Sequence, residues 1–225
     1  DSVTTIGVGA FLSCYSLTTI EVSSDNKHYT SVDGILFDKK MTTLVRFPCG
    51  KSKTSYVLPD SVTTIGDSAF EECYSLTSVT IPETVTSIDE RAFYGCTSLT
   101  SITIPKSVTS IGEEAFFDCS GITSITVDSA NPAYSSDEYG VLYNKDKTEL
   151  IQYPAGSEMK SYTIPDGVTS IGFGAFRSCK NLTSVIIPDG VTSIGFFAFS
   201  FSRKLERATI PETVTMIDHA AFLQC

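Results

Sequence analysis

Apolar positions along the chain fall at spacings that change within each block and then restart. In residues 60–82, "DSVTTIGDSAFEECYSLTSVTIP", they are Val62, Ile65, Ala69, Phe70, Cys73, Leu76, Val79 and Ile81. A lone helix would hold a period near 3.6 and a lone strand a period of two. This set holds neither, so the block is a circuit of short elements. "LTSVTI" ends in alternation, which predicts Val79 and Ile81 inward and Thr77, Ser78 and Thr80 outward on a half-buried strand. Pro82 closes that strand, because proline has no donor for the ladder. "VTTI" is a second short β-branched run, and Gly66 marks a turn. "SAFEEC" predicts about one helical turn with Phe70 and Cys73 on one face.

The phrase returns every 23 residues from Asp60, Glu83 and Lys106, again from Asp166, Asp189 and Glu212, and in a further copy at Asp1. One circuit cannot bury its own apolar positions. Stacked copies can, laying Phe on Phe, Ile on Ile and Cys on Cys, which predicts a solenoid. Residues 23–59 and 128–165 interrupt the period, yet "VDGILFDKKMTTLVRFPCGKSKTSYVLP" and "EYGVLYNKDKTELIQYPAGSEMKSYTIP" are copies of each other. Each holds two strand-like runs around a polar turn, a β-hairpin, and ends in register with "TSVTIP". Each is therefore read as one long rung in which a hairpin replaces the usual turn. About eight rungs at roughly 4.8 Å give a rod or shallow arc on the order of 40 Å long.

The phrases "LTSITIPKSVTSIGEEAFFDC" and "GVLYNKDKTELIQYP" resemble the BspA-type leucine-rich repeats of bacterial and protist surface proteins, and the resemblance runs through essentially the whole chain. It implies an α/β leucine-rich-repeat solenoid, β-rich, with short helical turns, as one domain over residues 1–225. It also implies a place outside or on the cell, no enzyme activity and no cofactor. The partners it implies are extracellular-matrix or host-cell proteins, or glycans. The last copy stops halfway round a circuit at Cys225, and neither end shows a polar cap, so the expectation is a fragment of a longer chain. Ser202 stands where the repeat expects cysteine, Gly121 and Ile122 replace serine and leucine, and Ala208 takes an inward position usually held by Ile or Val.

Composition narrows the partners. A formal net charge of −10 argues against nucleic acid and anionic lipid. No apolar run approaches the roughly 18 residues of a spanning helix, so direct membrane insertion is not expected.

The candidate chemistry is thin. Cys14, Cys73, Cys96, Cys119, Cys179 and Cys225 share one repeat position without the paired spacing of metal sites. Equivalent Cα atoms about 5 Å apart permit an inter-rung disulfide, for instance Cys73 with Cys96 or Cys96 with Cys119. Buried free thiols are the simpler reading. Cys49 lies outside the repeat position and is expected to be the most exposed. His28 and His219 fall on distant rungs, which argues against a nucleophile-base pair. The pairs Glu71/Glu72 and Glu113/Glu114 read as a solvated face, the alternative being a cation attracted by acidic residues stacked on successive rungs.

Two surfaces could hold a partner. One is the hydroxyl ladder of the strand face, with Thr77, Ser78, Thr80, Thr100, Ser101 and Thr103 at its centre, a pattern that reads first as sheet formation through β-branched threonines and second as recognition. The other is the turn edge, acidic in the middle rungs and aromatic later at Phe173, Phe196, Phe197 and Phe201. For Phe197 and Phe201 the alternative is an inward turn into space left by Ser202. For the whole chain the alternative is a spacer or self-association element.

Overall fold

The protein is described by a computed structural model over residues 2–225. It is a β-solenoid of about eight coils whose strands fall into five sheets on two faces. On the first face, Ser55–Val57 pairs with Ser78–Thr80, Ser101–Ile104 with Ser124–Val127, and Ser161–Thr163 with Ser184–Ile186 and then Arg207–Thr209. Partners such as Val79 and Tyr56, or Ile125 and Ile102, sit one repeat apart. The alternation sorts them as predicted, with Val79 and Ile102 buried and Ser78, Thr80, Ser101 and Thr103 exposed.

The second face is built from the "VTTI" runs. Thr64–Ile65, Ser87–Ile88 and Ser110–Ile111 continue, in parallel, a hairpin rung whose strands are Tyr29–Val32, Ile35–Asp38 and Thr43–Arg46. Tyr134–Ser136, Leu142–Asn144 and Glu149–Gln152 begin an equivalent sheet that runs on through Ser170–Ile171, Ser193–Ile194 and Met216–Ile217. Both long rungs thus hold hairpins, as their mutual likeness predicts.

The expected helical turns are absent. Among the described residues there is no helix, and "SAFEEC" is a chain of tight turns. The reason lies in where its backbone donors go. Ala69, Glu71 and Cys73 N–H donate three residues back, while Ser68, Phe70 and Glu72 N–H reach sideways to the carbonyls of Glu90, Ala92 and Tyr94 at 3.0, 2.8 and 2.7 Å. A helix would spend every donor within itself. The alternation demands two left-handed residues per rung, four apart: Ser68 and Glu72, Arg91 and Gly95, Glu114 and Asp118, Gly174 and Ser178, Phe197 and Phe201. A left-handed non-glycine residue costs roughly 1–2 kcal/mol, which the cross-rung bonds offset.

Inside these turns the rings stack. Phe70 lies on Phe93 at 5.0 Å and Phe93 on Phe116 at 5.6 Å, and Phe176, Phe199 and Phe222 repeat the arrangement at 4.8 and 4.9 Å. In the long rungs Phe47 and Tyr153 take the ring position, 5.4 and 5.0 Å from Phe70 and Phe176. The chain then skips the outer turn by Pro48-Cys49-Gly50 and Pro154-Ala155-Gly156. Gly50 and Gly156 are required here, since a Cβ would stand 2.5 Å from Ser16 backbone and 2.7 Å from Gly121 backbone. The buried core divides at the second long rung: one cluster runs from Ile35 to Leu142, the other from Val141 to Ala221.

The repeat cysteine is a donor as well as a filler. Cys96, Cys119 and Cys225 Sγ donate to the carbonyls of Phe70, Phe93 and Phe199 at 3.1, 2.9 and 3.1 Å. Ser202 Oγ makes the same bond to Phe176 at 2.6 Å and accepts Cys179 N–H at 3.0 Å, which explains why serine substitutes there. Ser202→Cys should therefore be close to neutral, whereas Ser202→Ala orphans two buried backbone groups and should cost about 1–3 kcal/mol in urea unfolding.

Candidate interaction surface

The strand face splits its hydroxyls between two roles. Thr77 and Thr100 are exposed as expected, but their Oγ1 atoms donate to the carbonyls of Thr54 and Thr77, one rung back, at 2.9 and 3.2 Å. Thr123 does the same to Thr100 at 3.1 Å. These threonines stitch the stack. Ser78, Thr80, Ser101 and Thr103 occupy the exposed strand positions themselves. The face is less uniform than the hydroxyl pattern suggested. Val57 is 68% exposed beside Thr80, and Ile186 is 46% exposed beside Thr163. Both could have been found by writing out the strand position in every copy, long rungs included.

Where the long rungs skip the outer turn, the edge has a gap, and each gap is bridged differently. At the first, Arg46 is buried and its guanidinium donates to the carbonyls of Ser68, Glu71 and Phe11 at 2.5, 3.1 and 3.3 Å. It supplies, from a side chain, donors that a full turn would supply from its backbone. Burial lowers its pKa, and the nearby Glu71 carboxylate works against that shift. Glu71 is itself 2% exposed and bound by Arg91 at 2.7 Å, so it is no part of a solvated face. Sequence reasoning missed both residues, because a charge in the middle of a rung reads as surface until the missing turn is seen.

At the second gap the edges of two rungs meet across 59 residues. Arg177 grips Asp118 with Nε and Nη2 at 2.9 and 3.1 Å, and Ser178 Oγ adds a bond at 2.7 Å. The guanidinium lies 4.3 Å from the ring centres of both Phe117 and Phe201. The four candidate phenylalanines assemble around this pair. Phe173 sits 5.5 Å from both Phe117 and Phe196, and Phe197 packs edge-on to Phe196 at 4.1 Å. All four are half-buried. Phe197 and Phe201 do not fill space near Ser202, whose hydroxyl is already engaged; they flank Arg177 at the edge.

The thiols partly correct the expectation. Cys49 is half-buried and forms a disulfide with Cys73, Cα to Cα 4.5 Å. The skipped turn lets "FPC" place its cysteine where a full rung places the one at "AFEEC", so Cys49 joins the ladder in space while breaking register in sequence. The other five are free. Burial pushes Cys96 up to about 12 and Cys119 well above its ordinary value, which leaves both as inert thiols.

Among the described residues the sequence candidates do not assemble into a catalytic constellation. His28 and His219 are exposed, and His219 stacks on Phe196 at 5.4 Å. Among the described residues no group of three or more metal-ligating side chains converges. One polar cluster does form: Tyr162 and Tyr143 hydroxyls donate to Asp137 at 2.6 and 3.3 Å; burial above all pushes both phenols up, helped at Tyr162 by Asp137 and opposed at Tyr143 by its contact with Tyr162. It ties the hairpin to the strand that follows. Asn181, in a glycosylation-like triplet, donates to Ser157 carbonyl at 3.1 Å.

Two measurements check this picture. The denatured, unreduced chain should show five reactive thiols and seven after reduction; seven before reduction would contradict the Cys49–Cys73 bond. Arg177→Met keeps much of the packing and loses the Asp118 pair, so urea unfolding should register about 1–2 kcal/mol, the lower part of the range for charged hydrogen bonds since Asp118 is partly solvated.

With this geometry in hand, likeness to known proteins is informative. No curated protein matches the chain significantly. Among solved structures, a leucine rich cell surface protein from Faecalibacterium prausnitzii is 39% identical with a TM-score of 0.71, covering 76% of this chain and 45% of its own. The pneumococcal vaccine antigen PcpA is 29% identical with a TM-score of 0.68, over 73% of this chain and 41% of its own. A leucine-rich repeat protein of T. pallidum is 26% identical with a TM-score of 0.51, over 88% and 86%. This chain thus spans less than half the length of the first two. Six copies of the BspA type leucine rich repeat match residues 1–53, 46–155 and 153–225, and the chain belongs to that family.

Proposed function

We propose that this chain is a non-enzymatic recognition module, displayed at the cell surface or secreted, that binds a protein or glycan partner through its strand face and the flanking hairpins. The observation that carries this reading is the exposed row of Ser78, Thr80, Ser101 and Thr103, held rigid by two parallel sheets and spaced by the rung repeat. A hydroxyl-lined face with exposed Val57 and Ile186 and a single strand charge at Arg207 offers hydrogen bonds and apolar contact together, the pairing that partner surfaces use. The Phe173, Phe196, Phe197 and Phe201 edge is a second contact region, its rings half-buried and ordered around Arg177. Family membership and the likeness to a cell surface protein of F. prausnitzii support the location.

The spacer reading has one observation in its favour: Thr77 and Thr100 spend their hydroxyls on the stack rather than offering them to a ligand. A panel of matrix proteins, glycans and host cells separates the two. Recognition predicts a saturable partner whose signal falls at least tenfold in Thr80→Lys/Thr103→Lys, a pair exposed enough to leave folding intact. Absence of binding across the panel, with a monomeric or self-associating mass in solution, favours the spacer.

A further inference from the structure

The skipped turn of each long rung opens a cleft between the outer turns on either side. The first cleft, of about 250 Å³, carries Asp67 and Asp89 and contains its own cation, Arg46. The second is larger, about 430 Å³, and lies where the core divides into two clusters. Its walls are Phe117, Phe173, Tyr134 and Ile151, and its carboxylates are Glu113, Glu114 and Glu149. The residue equivalent to Arg46 is neutral here: Gln152, whose Nε2 donates to Tyr153 and Ala175 carbonyls at 3.0 and 3.3 Å. No lysine or arginine lines the second cleft.

Nearby cations are committed elsewhere. Arg91 is bound to Glu71 at 2.7 Å and makes a longer ion pair with Glu114 at 3.7 Å, which leaves Glu113 and Glu149 as the cleft carboxylates without an ion pair among the described residues. Arg177 is bound to Asp118 and lies over the Phe117 ring. Lys145, on the hairpin turn, donates to Asn131 carbonyl. Burial raises the Glu114 carboxyl above its ordinary value; Arg91 works against that shift, and the neighbouring Glu90 and Glu113 carboxylates add to it.

We propose that the second cleft is a binding site for a basic segment of a protein partner, taking a lysine or arginine side chain between the aromatic walls and the three carboxylates. Charge complementarity selects the occupant. Three carboxylates at one mouth attract a cation, and half-exposed aromatic faces such as Phe173 and Tyr134 favour a cationic group over a neutral one. The volume falls in the range of small-ligand sites, enough for one long side chain and the backbone that carries it. The site rests on the recognition reading above but occupies a different surface, so the two can fail separately.

Fluorescence anisotropy with a labelled Arg/Lys nonapeptide, against a Ser/Gly nonapeptide of equal length, tests the site on the whole chain. The basic peptide should bind at about 50 mM salt and weaken markedly at about 500 mM, where charges are screened within a few ångströms. Glu113→Gln/Glu114→Gln/Glu149→Gln should weaken it at least tenfold, and Ile151→Trp, which fills the cleft without touching a charge, should do the same. Asp60→Asn/Glu83→Gln/Glu212→Gln, an equal charge loss at exposed sites elsewhere, should change it less than twofold. Circular dichroism establishes that each variant is folded. Equal losses in the two charge triples, retention in Ile151→Trp, or no preference for the basic peptide would each overturn the site. Loss of basic-peptide binding in Thr80→Lys/Thr103→Lys would overturn it too, by moving the contact to the strand face.

Discussion

Everything in this molecule depends on the sideways hydrogen bond from one rung to the next. A turn segment such as Ser68–Cys73 alternates its N–H groups, one back along its own chain and the next across to the following rung. That alternation excludes a helix and imposes left-handed backbone at two positions per rung. It also sets the stacking distance, which puts Phe70 face to face with Phe93 and brings the Cys96 sulfur to the Phe70 carbonyl. No element is stable alone; two-residue strands such as Thr64–Ile65 exist only because the same pair recurs on either side.

The same constraint explains why the unusual chemistry gathers at the long rungs. A rung that skips its outer turn leaves its neighbours without partners, and the sequence answers locally. Arg46 brings donors to the orphaned carbonyls, Cys49 ties itself to Cys73, and Arg177 with Asp118 spans the second break beside its cleft. The two gaps are alike in backbone and unlike in charge, because Arg46 fills one and Gln152 stands in the other. A hairpin insertion in a repeat protein thus does more than project a loop. It creates a discontinuity in the stack, and the discontinuity becomes a cleft.

The sheet registers, the inward Val79 and Ile81, the hairpins and the exposed Ser78, Thr80, Ser101 and Thr103 were all legible in the chain, because strand alternation is a local property with a period of two. The turn was misread as helical for a related reason. Phe70 and Cys73 do share a face three apart, but the pattern of side chains does not say which backbone group each N–H will find. The four phenylalanines were placed on the correct edge, but their half-burial around Arg177 depends on a residue 59 positions from its partner Asp118.

By itself the sequence determined the repeat, and through the repeat the solenoid, since a 23-residue period lets every apolar position be buried only by its own copies. Tertiary structure alone decided what happens where the period breaks. The depth of Arg46 and Glu71, the Cys49–Cys73 bond and the acidic cleft over Gln152 come from rungs brought together by the stack. Contacts between copies are repeated along the chain and can be read from one of them. Contacts at a discontinuity occur once each, and the space left between rungs determines them.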